Sequence, residues 1–157
     1  MSKSLRRVKA MLQDAGLEIE ILETGTDTRT AAQAAAVAGC HLDQIAKSII
    51  FRGERSGEAI LFLTAGGNRV DAQKAAALAG EPLGKADAAL VRAQTGFAIG
   101  GVSPIGHLNP IRAYFDPRLL EFDVIWAAAG TPQHIFEIDP RTVLDMTRAI
   151  PADFIEQ

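Results

Sequence analysis

A single cysteine, Cys40, means that no internal disulfide can brace this chain, and such sparing use of cysteine fits a reducing cytoplasm. No apolar run approaches the roughly 20 residues that a membrane-spanning helix needs. The opening Met1-Ser2-Lys3-Ser4-Leu5-Arg6-Arg7 is basic but lacks the apolar stretch of a secretion signal. Metal-ligand patterns are missing as well: His41, His107 and His134 show no HxxxH spacing, and one cysteine cannot form a CxxC pair. No GxSxG elbow occurs. The pair Gly66-Gly67 is not followed by the glycine-lysine-hydroxyl triplet of a Walker loop, and reads as a strand-to-helix turn. A formal net charge of −3 argues against a protein that coats DNA or RNA regardless of sequence, and leaves room only for a local basic patch. These absences predict a cytoplasmic protein without a bound metal or other cofactor and without a membrane anchor.

What remains is ordinary globular material. A hydrophobic fraction of 48% and a charged fraction of 22% over 157 residues predict one domain, 1–157, able to bury about 70% of its unfolded-chain surface. Leu5, Val8, Leu12 and Ala15 recur at helical spacing, so residues 3–15 read as an amphipathic helix closed by Gly16. Lys3, Arg6, Arg7 and Lys9 crowd its first turns, where the helix dipole favours the opposite charge. They read either as a solvated face or as contacts for an RNA backbone. Alternation predicts a strand at 17–22, followed by a polar turn at 24–28. Thr30 and Gly39 bracket a helix over 31–38. A hairpin is predicted from strands at 45–52 and 59–64, joined through 53–57. Helices follow, capped by Asp71 and ended at Gly80, and over 87–94 ended at Gly96. Further strands are predicted at 111–115, 122–127 and 133–138, with Asp139 and Pro140 opening a last helix. Short strands with interspersed helices, and no regular βαβ rhythm, point to a mixed α/β fold curled into a barrel-like shape.

The stretch Gly96-Phe97-Ala98-Ile99-Gly100-Gly101-Val102-Ser103-Pro104-Ile105-Gly106-His107 stands apart. It has four glycines, one proline and no charged side chain other than a titratable histidine. A helix would not tolerate so much glycine, and a surface linker would be more polar. Such a loop can present main-chain groups to a small ligand, or simply make a tight connection under a sheet. Elsewhere, period two sets Lys47, Ile49 and Phe51 on one strand face. Lys47 then either faces a pocket or snorkels to water, and the residues alone favour snorkelling. His134, in line with Phe136 and Ile138, reads as a packed core histidine, and Cys40 as a small buried hydrophobe.

Four ordered segments are similar to the YbaK/ProX family, the free-standing relatives of the bacterial prolyl-tRNA synthetase editing domain. Gly100-Gly101-Val102-Ser103-Pro104 matches the family's GxxxP loop, and Ala46-Lys47-Ser48-Ile49-Ile50-Phe51 its lysine strand. Asn68-Arg69-Val70-Asp71-Ala72-Gln73-Lys74 resembles the segment after the next strand. Trp126-Ala127-Ala128-Ala129-Gly130-Thr131-Pro132-Gln133-His134-Ile135 resembles the closing hairpin. The likeness runs from about residue 24 to 146.

The resemblance implies a mixed sheet surrounded by helices and an activity: hydrolysis of the ester joining a small amino acid to a wrongly charged tRNA, with tRNA for proline the leading candidate. It implies the acceptor end of mischarged tRNA as partner, with prolyl-tRNA synthetase a second candidate, and no DNA. It places Lys47, Gly100, Gly101, Ser103 and His107 at the reaction, and Thr26, Ile49, Phe51, Asn68, Asp71, Val102 and Pro104 around the substrate. Lys47 would act as a point charge on a phosphate or carbonyl oxygen, and the loop would act through its main chain. Nothing marks a base for Ser103. His107 would orient a substrate group or a water, or merely bond within the turn. Asp71 is equally explained as a helix cap. Ile49, Phe51, Ile99 and Val102 would wall the side-chain pocket. Two rival classes fit the same residues: a module that binds a tRNA end or aminoacyl adenylate without hydrolysing it, and a regulatory partner of a synthetase.

Overall fold

The computed structural model describes residues 2–157. Helix α1 spans Lys3–Asp14, with the Ser2 side chain accepting from Leu5 N–H, and buries Leu5, Val8 and Leu12. A short β1, Ile21–Glu23, leads to α2 at Ala31–Ala38. Thr30 and Gln33 form a reciprocal capping box there, satisfying two otherwise unpaired N–H groups. After a 3-10 turn at Leu42–Gln44 come β2 (Ala46–Gly53) and β3 (Ala59–Ala65). Asp71 caps α3 (Ala72–Ala79), β4 covers Leu83–Lys85, and Asp87 caps α4 (Ala88–Thr95). Past the glycine-rich loop lie β5 (Arg112–Phe115), a 3-10 turn at Pro117–Glu121, β6 (Ile125–Ala128) and β7 (His134–Ile138). The chain ends with α5 (Pro140–Thr147) and β8 (Ile150–Pro151).

The mixed α/β class stands, but the sheet does not close into a barrel. There are two sheets, of order β1-β7-β6 and β4-β2-β3-β5-β8. One parallel bridge, Ile45 to Trp126, joins them. In the larger sheet β5 runs parallel to β3 and β8 parallel to β5, while the other pairs are antiparallel. Parallel neighbours cannot be joined by a hairpin. The crossover from β3 to β5 therefore carries α3, β4, α4 and the glycine-rich loop.

Strand β3 is buried throughout, because both faces of the larger sheet are covered. Leu61 and Leu63 point into the main core with Phe115, Phe136 and residues of α1. Ile60 and Phe62 point to a second core, where Phe62 stacks on Tyr114 and meets Phe154 edge-on.

Several predicted boundaries move. Of the strand expected at 17–22 only Ile21 and Leu22 are in β1, because pairing begins where β7 offers a partner: Ile21 to Phe136, then Leu22 to Ile135 and Glu23 to His134. The strand expected at 122–127 starts at Ile125, after the Asp116-capped 3-10 turn. β4 and β8 are too short for any period to reveal. His134 is half-buried at the start of β7, with Nδ1 2.6 Å from Thr131 Oγ1, while Phe136 and Ile138 enter the core beyond it.

The glycine-rich loop is buried almost like a strand. Phe97, Val102 and Ile105 are core residues, and α1 clamps the loop from outside. Arg7 Nε donates to the Gly106 carbonyl at 2.7 Å, and its guanidinium lies 4.8 Å over the Phe97 ring. Among the α1 cations, Arg7 is thus committed to the loop and is not simply part of a solvated face. Gly101 abuts the turn at Thr131 so closely that an added Cβ would sit 2.7 Å from Thr131 backbone atoms. Its backbone is not in the left-handed region, unlike that of Gly100 at φ 97°. Gly101→Ala is therefore expected to cost about 1–3 kcal/mol of stability through overpacking, read as a lowered denaturation midpoint. An unchanged midpoint would show that the turn yields freely.

Candidate active site

The larger sheet's own geometry opens a cavity. β3 takes one edge of β2 from Ala46 to Arg52. Beyond it, β4 pairs only with Phe51–Gly53, and β6 touches only at the Ile45–Trp126 bridge. The stretch 46–50 is left without a strand neighbour between those two junctions. A cavity of about 880 Å³ lies there, bounded by 28–32, the Gly66–Arg69 turn, Lys85–Ala86, Ile99, Gly100, Val102 and β6. Its size is that of a small-ligand site.

Because the cavity meets β2 edge-on, both faces of the strand contribute. Lys47 and Ile49 come from one side, Ala46, Ser48 and Ile50 from the other. Among the described residues the rim carries four cations, Arg29, Lys47, Arg69 and Lys85, and no carboxylate or histidine lines the cavity. The floor is apolar: Val91, Val102, Ala127 and Ile135 are all buried. Trp126, half-buried, forms part of the wall. A basic rim over an apolar floor suits a ligand with an anionic end and a small uncharged end.

Lys47 is held rather than snorkelling. Its Nζ donates to the Asn68 carbonyl at 2.5 Å. Burial, then the nearby Arg69 charge, push its pKa below the usual lysine value, against the pull of Asp116 and Asp43. The turn that supplies Asn68 is itself fixed. Asp116, 1% exposed, accepts from Ala65 N–H at 3.0 Å and from Asn68 Nδ2 at 2.9 Å, and its other oxygen takes Arg118 N–H. Asp43 accepts from Gly67 N–H at 2.8 Å and from Arg118 Nε at 3.1 Å. Gly66 has no room for a side chain, since a Cβ would collide with the Leu42 carbonyl. So the Gly66-Gly67 pair is a strand-to-helix turn, as read, but one shaped by close approach to the Leu42–Gln44 turn.

Of the residues expected at the site, Lys47, Gly100, Ile49, Asn68 and Val102 line the cavity, as does Ile99. The others do not. Ser103 is fully buried beneath the loop, its Oγ accepting from Ile105 N–H at 3.2 Å. Pro104 is buried beside it, and Gly101 faces the Thr131 turn. Thr26 lies in an exposed turn, and Asp71 Oδ1 is occupied by the N–H groups of Gln73 and Lys74. Phe51 packs edge-on against Phe62 in the second core, so it walls no side-chain pocket. His107 also stays outside. Its Nε2 is 2.6 Å from the Ser103 carbonyl, its ring meets Phe97 edge-on, and its buried Nδ1 has no partner. Cys40 is half-buried against the small core of Ala34, Ala35 and Ile45.

Sequence reasoning missed Arg29, Arg69, Lys85 and Trp126 on the cavity, and Asp43, Asp116 and Arg118 behind it. Nothing in spacing joins these, because they lie on six separate segments that only the fold brings together. The one available signal was Asn68-Arg69 directly after a buried strand.

The chain belongs to the aminoacyl-tRNA editing domain family, which it matches over residues 26–146, in agreement with the YbaK/ProX resemblance. Two solved structures share its fold nearly end to end. A candidate trans-editing enzyme for prolyl tRNA synthetase is 45% identical, with a TM-score of 0.91 and 100% of this chain and 99% of that chain covered. The hypothetical protein APE2540 is 29% identical, with a TM-score of 0.86 over 96% of this chain and 99% of that one. YwhH of Bacillus subtilis (strain 168), itself uncharacterized, is 31% identical over 144 residues, which is 92% of this chain and 91% of that protein. Among the described residues no helix is long and apolar enough to cross a membrane, and no group of three or more His, Cys, Asp or Glu is placed to hold a metal.

His107 yields a pH prediction. Burial holds its pKa below the ordinary 6.5, with the Arg7 charge adding to this and the Ser103 carbonyl opposing it. The unfolded chain therefore takes up the proton first, and stability is lost as the pH falls below about 6.5. The melting temperature of His107→Asn should depend less steeply on pH than that of the wild type in that range. Parallel curves would show that His107 titrates alike in both states.

Proposed function

We propose that this protein, as one editing unit over 1–157, is a trans-editing deacylase that hydrolyses the ester of a small amino acid mischarged on tRNA, with tRNA for proline the leading candidate. The observation that carries this reading is Lys47, a cation held on an unpaired strand edge between a basic rim and an apolar floor. The tRNA terminus would set its phosphate among Arg29, Arg69 and Lys85 and its ester at Lys47. The side chain would then reach the floor by Val102, Ala127 and Ile135. Family membership and the likeness to a candidate trans-editing enzyme for prolyl tRNA synthetase support the same reading.

In this reading Lys47 exchanges the Asn68 carbonyl for a substrate oxygen, and its charge opposes the negative charge that develops as water adds to the ester carbonyl. Main-chain groups of the β2 edge and of Gly100 lie where the α-amino group and the attacking water would be held. No side-chain nucleophile is required, since an activated ester asks only for positioning and electrostatic help. Ser103 takes no part, because its hydroxyl is buried and bonded to Ile105.

Synthetase pockets reject a slightly smaller amino acid poorly, as one methylene is worth only about 1–3 kcal/mol. A second site that excludes by size removes the small error after release. Lys47→Ala should lower deacylation by 100-fold or more, roughly 3 kcal/mol of transition-state stabilisation, with the fold intact by circular dichroism. Alanyl, cysteinyl or seryl esters should be cleaved well and phenylalanyl ones hardly at all on the same tRNA body. Tight binding of the tRNA end without turnover would favour the binding-module class instead. Equal alanyl and phenylalanyl rates would remove the steric sieve.

A further inference from the structure

The cavity uses only the first two residues of the 68–74 segment, and Lys74 at its far end has no part in the site. Lys74 stands in the first turn of α3, where the helix dipole disfavours a cation. Alanine would serve the helix better there. Its ammonium is turned instead onto residues 152–156, a strap that follows β8. Nζ donates to both Asp153 carboxylate oxygens, at 3.3 and 3.2 Å, and to the Ile155 carbonyl at 3.0 Å. The strap lies along 69–71. Glu156 N–H donates to the Arg69 carbonyl and Asp71 N–H to the Phe154 carbonyl, each at 2.8 Å, about an antiparallel bridge from Val70 to Ile155. Phe154 anchors the strap from below, fully buried and edge-on to Phe62. The main chain of Arg69 is thus held on both sides, upstream by Asn68, which Asp116 fixes, and downstream by the strap.

We propose that Lys74 is a positioning residue: by pinning the strap to α3 it sets the direction in which Arg69 projects at the cavity mouth, where Arg69 takes a phosphate of an RNA terminus. This rests on the reading of the rim as the seat of a tRNA end, and adds to it a residue that never touches the ligand. Stability of the whole fold gives Lys74 little reason to be there, because an ion pair as exposed as Lys74–Asp153 adds little to it. Direction is another matter. Arg69 is exposed, and a small rotation of its main chain is multiplied along the length of an arginine side chain. A guanidinium meets a phosphate well only in a narrow range of orientations.

The test measures KM and kcat for an alanyl ester on one tRNA body, and the Kd of an unacylated RNA hairpin ending in CCA by fluorescence anisotropy. Lys74→Ala should raise KM and Kd by at least about threefold, with kcat within about twofold of the wild type. Its melting temperature should stay within about 3 °C. Lys74→Arg, which keeps a cation for Asp153, should recover most of the loss. In an Arg69→Ala background Lys74→Ala should change Kd by less than about 1.5-fold, because no guanidinium is left to place. Asp153→Asn, which removes the ion pair from the strap side, serves if Lys74→Ala does not fold. A Kd unchanged by Lys74→Ala, one raised equally with and without Arg69, or a wild type that does not bind the hairpin overturns the inference. The two readings fail separately. If no ester is cleaved but the hairpin binds with this joint dependence on Lys74 and Arg69, Lys74's role stands and hydrolysis falls. If esters are cleaved and Lys74→Ala leaves KM and Kd as they were, hydrolysis stands and Lys74's role falls.

Discussion

Along one edge β2 is paired with β3 from Ala46 to Arg52, while along the other it has neighbours only near its ends. A strand edge exposes a row of main-chain donors and acceptors, and proteins generally cover it. Here the covering elements stop short on both sides. β4 ends its pairing at Phe51, and β6 meets the larger sheet at a single bridge before turning into its own sheet with β7. The cavity is the space between those junctions, and every other feature of the site takes its position from it. Lys47 and Ser48 are consecutive and point to opposite faces, yet both line one cavity because the strand enters it edge-on.

Holding that edge open requires stiff surroundings, and the structure supplies them with buried polar groups. Asp116 and Asp43 stand behind the Gly66–Asn68 turn and bond its N–H groups and the Asn68 amide, with Arg118 pairing Asp43. Asn68 in turn holds Lys47. On the far wall Arg7 does the same for the glycine-rich loop through the Gly106 carbonyl and the Phe97 ring. A buried carboxylate is tolerable only when its lone pairs are taken up, and Asp116 accepts three N–H donors. The turn that holds Lys47 is thus set by Asp116 and Asp43, neither of which lines the cavity.

The charge distribution lets an acidic protein offer a basic mouth at one cavity. The chain carries −3 overall, but the charged side chains lining the cavity, among the described residues, are all cations. Of these Arg29 is paired with Asp27 just outside the lining, while Asp43, behind the Gly66–Asn68 turn, pairs with Arg118. Local potential, not net charge, decides what approaches a concave site.

Much was legible in the sequence because it depends on local rules. The Thr30, Asp71 and Asp139 caps, the Gly39, Gly80 and Gly96 helix ends, and the β2–β3 hairpin follow from capping and period-two patterning, which act over a few residues. Lys47 and the glycine-rich loop were also marked, by an ammonium on an apolar strand and by glycines without polar company. Tertiary structure alone decided which faces of those segments look into the cavity. Phe51 shares a face with Lys47 yet belongs to the second core, because β4 covers β2 from that residue onward. Ser103, Pro104 and His107 sit in the marked loop yet point beneath it, because α1 and the Thr131 turn pack the loop from both sides. The cationic rim was invisible for the same reason: Arg29, Lys47, Arg69 and Lys85 are far apart in the chain, and only the crossover from β3 to β5 and the two-sheet arrangement bring them to one mouth.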